Sequence, residues 1–297
     1  MFKFMVYFIA ISILLIHCLP FENNTEDYDR GGADLSYLGR SVFGEPNEES
    51  GNRVEQWNKS SKVNPEELGT YAEGDILFPN DVRRSGVISE TKRWPGGVVP
   101  FEINGTYSEE QREMIKKAMM EFHKQTCIRF RKRKPGDSDW IWITNAKTGC
   151  YTSIGRLGGL QTVNLQAPAC LLHGTVMHEL LHAIGFGHEQ SRSDRDLYVT
   201  INWANIKQGH LQNFEKAGKL LSTSFGVSYD YGSIMHYSSH AFSVNGHPTI
   251  AAIRDTNLQL GQEEGFSKND VEKIRRIYNC SNISTKQNSS EIDIDIK

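Results

Sequence analysis

The 297-residue sequence predicts an α+β fold, with strands early and helices late in its central region. Three features carry this. Short β-branched and aromatic runs come first, helical apolar periods follow, and the composition, 38% hydrophobic with 26 glycines, is that of an ordinary globular chain. Disorder throughout, collagen and a multi-span membrane protein are excluded, and a formal charge of −3 excludes a strongly basic nucleic-acid binder.

The strands are expected at Val98 to Ile103, Ile128 to Arg131, Trp140 to Thr144 and Val163 to Leu165, short runs in a stretch punctuated by Gly, Pro and Asp. Between the first two, Ser108 and Gln111 form a capping box, and Ile115, Ala118, Met119 and Phe122 recur at helical spacing to face a core. A second helix is expected from Leu172 to Ile184 and a third near Ile206 to Lys216. Ser267 caps a last one that turns Val271, Ile274 and Tyr278 inward.

The ends differ from the middle. Residues 1–20 carry Lys3 and an apolar run from Met5 to Ile16, too short to span a bilayer and right for a cleaved secretory signal. Residues 21–84 hold 14 acidic and 7 basic residues and end in the dibasic Arg83-Arg84, whereas 85–280 holds 19 acidic against 23 basic. This division reads as a pro-segment, 21–84, ahead of a folded domain, 85–280, with 281–297 a disordered tail. Arg83-Arg84 fits a trypsin-like activating protease, because Asp81 interrupts a longer basic consensus. Cys127, Cys150, Cys170 and Cys280 form an even set for an oxidising compartment, and spacing alone leaves their three possible pairings open. Sequons at Asn23, Asn58, Asn104, Asn282 and Asn288 agree with a secreted, extracellular glycoprotein.

Chemistry concentrates in His178-Glu179-Leu180-Leu181-His182-Ala183-Ile184-Gly185-Phe186-Gly187-His188. On a helix, His178 and His182 lie one turn apart on one face and can place two nitrogens about 2.0 Å from a single zinc ion. Gly185 lets the chain turn back so that His188 reaches the same ion, and Glu179 sits where it can reach a water at the metal. Three neutral histidines leave a fourth position open, the mark of a catalytic site. The full pattern arises by chance in on the order of one chain in 10⁵, so incidental histidines are set aside. His236 is read as packing, the basic run Arg129 to Lys134 as a solvated strand end, and Arg192, Asp194, Arg195 and Asp196 as local ion pairs bracing the loop after His188.

His178 to His188 resembles the metzincin zinc signature, and Glu189 directly after it is similar to the astacin branch. Ser233-Ile234-Met235-His236-Tyr237 resembles that family's Met-turn, and the likeness extends over 85–280. The resemblance implies a two-lobed metzincin-like domain: a mixed sheet with two helices in the amino-terminal lobe, and a mostly irregular carboxy-terminal lobe ending in a helix. It implies one zinc per subunit on His178, His182 and His188, Glu179 as general base, Met235 beneath the metal, and Tyr237 as a resting ligand that swings off to stabilise the oxyanion. It also implies Cys127 with Cys280, Cys150 with Cys170, Glu189 as anchor of the new amino terminus, and Tyr151 to Ile154 as the edge strand for peptide substrates. Glu73-Gly74-Asp75 resembles the family's Phe-x-Gly-Asp switch, with Ala72 in place of phenylalanine and Asp75 as the latency ligand. The expectation is a secreted zymogen of a zinc endopeptidase acting on proteins or peptides, monomeric, with no nucleic-acid partner and no stable membrane association. The alternative is a catalytically inactive binding or toxin-like protein, which retention of Glu179, Tyr237 and all three histidines opposes.

Overall fold

The computed structural model describes residues 43–80, 92–217 and 224–281, with Ile294 and two short paired strands, β1 (Ala33–Asp34) and β2 (Val87–Ile88). The expected signal, Arg83-Arg84, nearly all of the tail and the sequons at Asn23, Asn282 and Asn288 lie outside the described residues.

A five-stranded sheet organises the first lobe, in the order β4 (Arg129–Lys132), β3 (Val98–Ile103), β5 (Trp140–Thr144), β7 (Leu160–Leu165) and β6 (Cys150–Thr152). The first four are parallel and β6 runs antiparallel at the edge. Strand β7 starts earlier than its apolar run because Leu160 to Asn164 pairs with all of β5, so the ladder extends a strand that side-chain pattern alone cuts short.

Helix α2 (Glu109–Gln125) begins at the expected capping box: Gln111 N–H donates to Ser108 Oγ, and Ser108 N–H donates to Gln111 Oε1. Its inward face, Ile115, Ala118, Met119 and Phe122, joins Val99, Phe101, Ile141, Ile143 and Val163 of the sheet in one core with Val176, Met177 and Leu180 of α3 (His173–Ala183). The second lobe holds little regular structure: a two-stranded ribbon of β8 (Val199–Ile201) and β9 (Ile250–Ala252), and α4 (Lys268–Ile277), capped by Ser267 with Asp270. Disulfides join Cys127 to Cys280 and Cys150 to Cys170.

The helix expected near Ile206 to Lys216 does not form; only a single 3-10 turn, Leu211–Phe214, stands there. Backbone groups on that stretch are used elsewhere. Lys207 N–H donates to Phe242 O, Val244 N–H donates to Asn205 O, and Gly209 takes a left-handed φ of 87° that interrupts a helix.

The amino-terminal segment, 43–80, lies against both lobes. Its helix α1 (Glu48–Glu55) is not among the expected elements; it starts where Asn47 caps Ser50 N–H and is tied to the sheet lobe by Gln166 Nε2 donating to Gly51 O. Tyr71 OH donates to Thr148 O, and residues 75 to 77 run parallel along the outer edge of β6: Leu77 N–H donates to Thr152 O, and Thr152 N–H to Asp75 O. No helix among the described residues is long and apolar enough to cross a membrane.

Phe122 is fully buried, with edge-on contacts to the rings of Phe130 and Phe266 at 5.2 and 4.7 Å. Phe122→Ala is expected to lower the unfolding free energy by about 3–5 kcal/mol. A urea-denaturation midpoint equal to that of the parent would contradict the placement of this core.

Candidate active site

Helix α3 is apolar on nearly every side and buried throughout, so its polar residues have to be satisfied by one another or by groups brought to them. It ends where Gly185, at φ 111°, donates its N–H to His182 O and turns the chain back toward His188. Two side chains from distant parts of the chain fix that end: Trp94 Nε1 donates to Ala183 O at 2.8 Å, and Tyr278 OH to Ile184 O at 2.8 Å.

The turn brings three imidazoles together. His178 Nε2 lies 3.1 Å from His182 Nε2 and 3.2 Å from His188 Nε2. Their outer nitrogens all face acceptors: His178 Nδ1 meets Ile234 O at 2.9 Å, His182 Nδ1 meets Phe186 O at 2.7 Å, and His188 Nδ1 meets Glu73 Oε2 at 2.6 Å. An acceptor at each Nδ1 places the proton there and leaves the Nε2 lone pair pointing inward. Three converging lone pairs repel unless a cation lies between them, so the donor set fits a metal ion. Asp75 completes it, its Oδ2 at 3.0 Å from His178 and 3.3 Å from His188, and its Oδ1 at 3.5 Å from His182. These four buried groups can hold one ion in the nitrogen and carboxylate surroundings that suit zinc.

Asp75 reaches the cluster through a tight bend. Glu73 and Gly74 take φ of 50° and 96°, and a Cβ on Gly74 would come within 2.9 Å of Glu66 O. Ala72, where the resembling motif has phenylalanine, is buried with Ile76, Phe78 and Ile154. Burial alone would raise Asp75's pKa, but the imidazoles of His188 and His182 overcome it and hold the carboxyl well below the usual range.

Glu179 follows His178 on the same helix, fully buried, and neither of its oxygens has a hydrogen-bond partner. Burial, then the nearby carboxylates of Asp75, Glu66 and Glu263, push its pKa well above the ordinary value. Met235 lies in the core shared with α3, and its carbonyl accepts from Glu189 N–H. Asp270 at the start of α4 fixes this turn by accepting from Ser233 Oγ and Ile234 N–H. Tyr237 sets its ring 4.9 Å from that of His188 and donates its hydroxyl to Glu73 O at 2.7 Å. Glu189 is buried; its Oε1 accepts from Arg192 and from Asp230 N–H, and its Oε2 forms an ion pair with Lys273.

Residues outside the cluster fall as the sequence suggests. His236 packs against Tyr229 OH and Tyr237 O, Arg192 pairs with Asp194, and Arg195 pairs with Asp196. In the basic run, Arg131 pairs with Asp137, and Arg133 lies over the Trp140 ring. What sequence reading missed is a set of carboxylates. Glu73 had no assigned role, and nothing marked Glu66 and Glu263, which meet α3 at Thr175 and approach His178, or Glu67, which meets Ser238. Thr175 Oγ1 donates to Glu263 at 2.5 Å and lies 3.4 Å from Glu66 Oε2. Burial pushes both Glu67 and Glu263 up to about 8. Their only signal was the Glu66-Glu67 pair in a segment of scattered charge.

A mixed sheet above a helix that carries two histidines, a glycine turn to a third and a methionine turn below define a metzincin-type metallopeptidase domain. The astacin peptidase family matches residues 86–279, and the chain belongs to it. It is 42% identical over 222 residues to zinc metalloproteinase nas-13 of Caenorhabditis elegans, covering 74% of this chain and 49% of that protein. It is 38% identical over 227 residues to zinc metalloproteinase nas-4 of the same organism, covering 73% and 71%. Among solved structures it resembles high choriolytic enzyme 1, a hatching-enzyme zinc protease of Oryzias latipes, at 41% identity and a TM-score of 0.59, over 63% of this chain and 93% of that one. The chain spans about half the length of several of the curated relatives it matches.

Purified chain is expected to carry about one zinc ion and His182→Ala to lose it, as read by elemental analysis. Because imidazole has to be neutral to bind, zinc is also expected to leave in acid. Zinc retained after prolonged incubation near about pH 4 would contradict this ligand set.

Proposed function

We propose that this chain is the latent precursor of a secreted zinc endopeptidase that hydrolyses peptide bonds in proteins. The observation that carries the reading is Asp75, set against all three converging imidazoles with Glu179 beside them.

In the active form His178, His182 and His188 would hold the zinc ion. The ion supplies a Lewis acid that activates water and polarises the scissile carbonyl. Glu179 takes the proton of that water as its oxygen adds to the carbonyl carbon, then hands it to the amine as the C–N bond breaks. The Tyr237 hydroxyl, now held by Glu73 O, would donate to the oxyanion once that carbonyl is gone, a contact of about 2.7–4 kcal/mol where a single such donor has been removed elsewhere. Met235 stays an apolar floor. The edge of β6 would pair with extended substrate, as main-chain strand addition allows.

Latency has two supports. Asp75 fills the position that substrate chemistry needs, and the backbone of residues 75 to 77 covers the outer edge of β6. Activation would then follow cleavage near Arg83-Arg84 by a trypsin-like protease and departure of 21–84. Glu189 would receive the new amino terminus; because its carboxylate already serves Arg192, Asp230 N–H and Lys273, the incoming amino group would join them or displace Lys273. The apolar leader and the sequons support secretion. A monomer with protein or peptide substrates and no nucleic-acid partner completes the proposal.

Digestion of a peptide library by the processed protein, compared with Glu179→Gln at matched zinc loading, is expected to show a loss of kcat/KM of about 10²–10⁴-fold. Equal cleavage by both would remove Glu179 from the mechanism, and no cleavage by a zinc-loaded, processed parent would remove the peptidase reading. In the uncleaved chain, Asp75→Ala is expected to raise activity above that of the latent parent. An unchanged latent rate would show that Asp75 is not what blocks the site.

A further inference from the structure

A second cavity, of about 530 Å³, lies where the amino-terminal segment meets the carboxy-terminal lobe. Its size falls within the range of sites that hold small ligands. The segment contributes Arg53, Trp57 and Lys62, and the lobe contributes Lys207, His210 and His240, so neither part forms the site alone.

Charge on this wall is one-sided. Arg53, Lys62 and Lys207 are the cations that line the cavity, beside His210 and His240 and against one carboxylate, Glu67, both of whose oxygens are already committed to Ser238 N–H, Ser238 Oγ and Asn64 N–H. Arg53 has Glu49 at 2.5 Å on the outer side of α1. Among the described residues, neither Lys62 nor Lys207 has a carboxylate within ion-pair distance. Burial, then Arg53 and Lys207, lower the pKa of His210 against the opposing pull of Glu49, and burial, then Lys62 and His247, lowers that of His240, so both imidazoles favour the neutral form. Lys62 and Lys207 therefore stand at this wall without a counter-charge among the described residues, and unbalanced cations attract anions.

The floor is apolar. Trp57, Leu68 and Phe242 line it, and Trp57 Nε1 is already satisfied by Val63 O, so the indole contributes its face. Aromatic and aliphatic carbon beneath a rim of ammonium and guanidinium groups suits a ligand with a C–H face and oxyanion substituents.

The geometry points to a binding site for a sulfated saccharide, its sulfate esters on Arg53, Lys62 and Lys207 and a sugar face on Trp57. Both parts of the chain line the site, so an occupant binds their assembled form and stabilises it over the separated parts. On the reading of 43–80 as part of a pro-segment, the saccharide holds the precursor latent.

The test is titration calorimetry of the zinc-loaded, uncleaved Glu179→Gln chain with a heparin-derived tetrasaccharide, inorganic sulfate and inorganic phosphate as separate ligands. No cleavage is needed, so the outcome is independent of the peptidase reading. The tetrasaccharide is expected to bind at low ionic strength and weaken with salt, and Lys62→Glu and Lys207→Glu are each expected to weaken it about tenfold. Lys132→Glu/Lys134→Glu, on the exposed basic run, is expected to leave it unchanged. Thermal midpoints confirm that every variant is folded. Equal loss in the control, no loss in either reversal, or binding of free sulfate or phosphate as tight as that of the tetrasaccharide would overturn the proposal.

Discussion

Three imidazole lone pairs aimed at one point, with Nε2 atoms 3.1 and 3.2 Å apart, cannot persist in a dry interior without positive charge between them. The surrounding structure meets that constraint. Two of the three acceptors that set the tautomers are carbonyls of Phe186, in the turn after α3, and Ile234, in the methionine turn. Both turns are also held from a distance: Trp94 and Tyr278 bind the end of α3, and Asp270 binds the methionine turn. The metal centre is therefore positioned in part by a residue that precedes the sheet and by residues in and beside the last helix, and the Cys127–Cys280 link ties the end of that helix to the start of β4.

The amino-terminal segment adds negative charge to this centre. Asp75 meets the inner nitrogens, Glu73 meets the outer nitrogen of His188, and Glu66 and Glu67 bury their carboxylates beside Thr175 and Ser238. Burying carboxylates costs free energy unless each is hydrogen-bonded, protonated or paired with a cation. Glu67 has three donors, Asp75 has the imidazoles and any ion they hold, and burial raises the pKa of Glu66 and Glu263, which favours their neutral form.

Helices α2, α3 and α4, the four strands read from apolar runs and the three-histidine cluster were legible in the sequence because their signals are local. Capping boxes, helical periods and the spacing of His178, His182 and Gly185 act over a few residues, and local geometry turns them directly into structure. The helix expected at 206–216 failed for the converse reason: a local period lost to long-range pairing with residues 242 to 244 and to Gly209.

By itself the sequence determined the metal-binding turn, since His178 and His182 share a helical face whatever packs around them and Gly185 permits the return to His188. Beyond Asp75, which the resemblance of Glu73-Gly74-Asp75 marked in advance, tertiary structure alone decided which carboxylates gather around that turn. Asp75 lies 103 residues from His178, and Glu66 lies 109 from Thr175, distances over which no periodicity carries information. Their placement depends on how the 43–80 segment lies across both lobes, and so does the basic cavity between Lys62 and Lys207, whose two walls meet only in the folded chain.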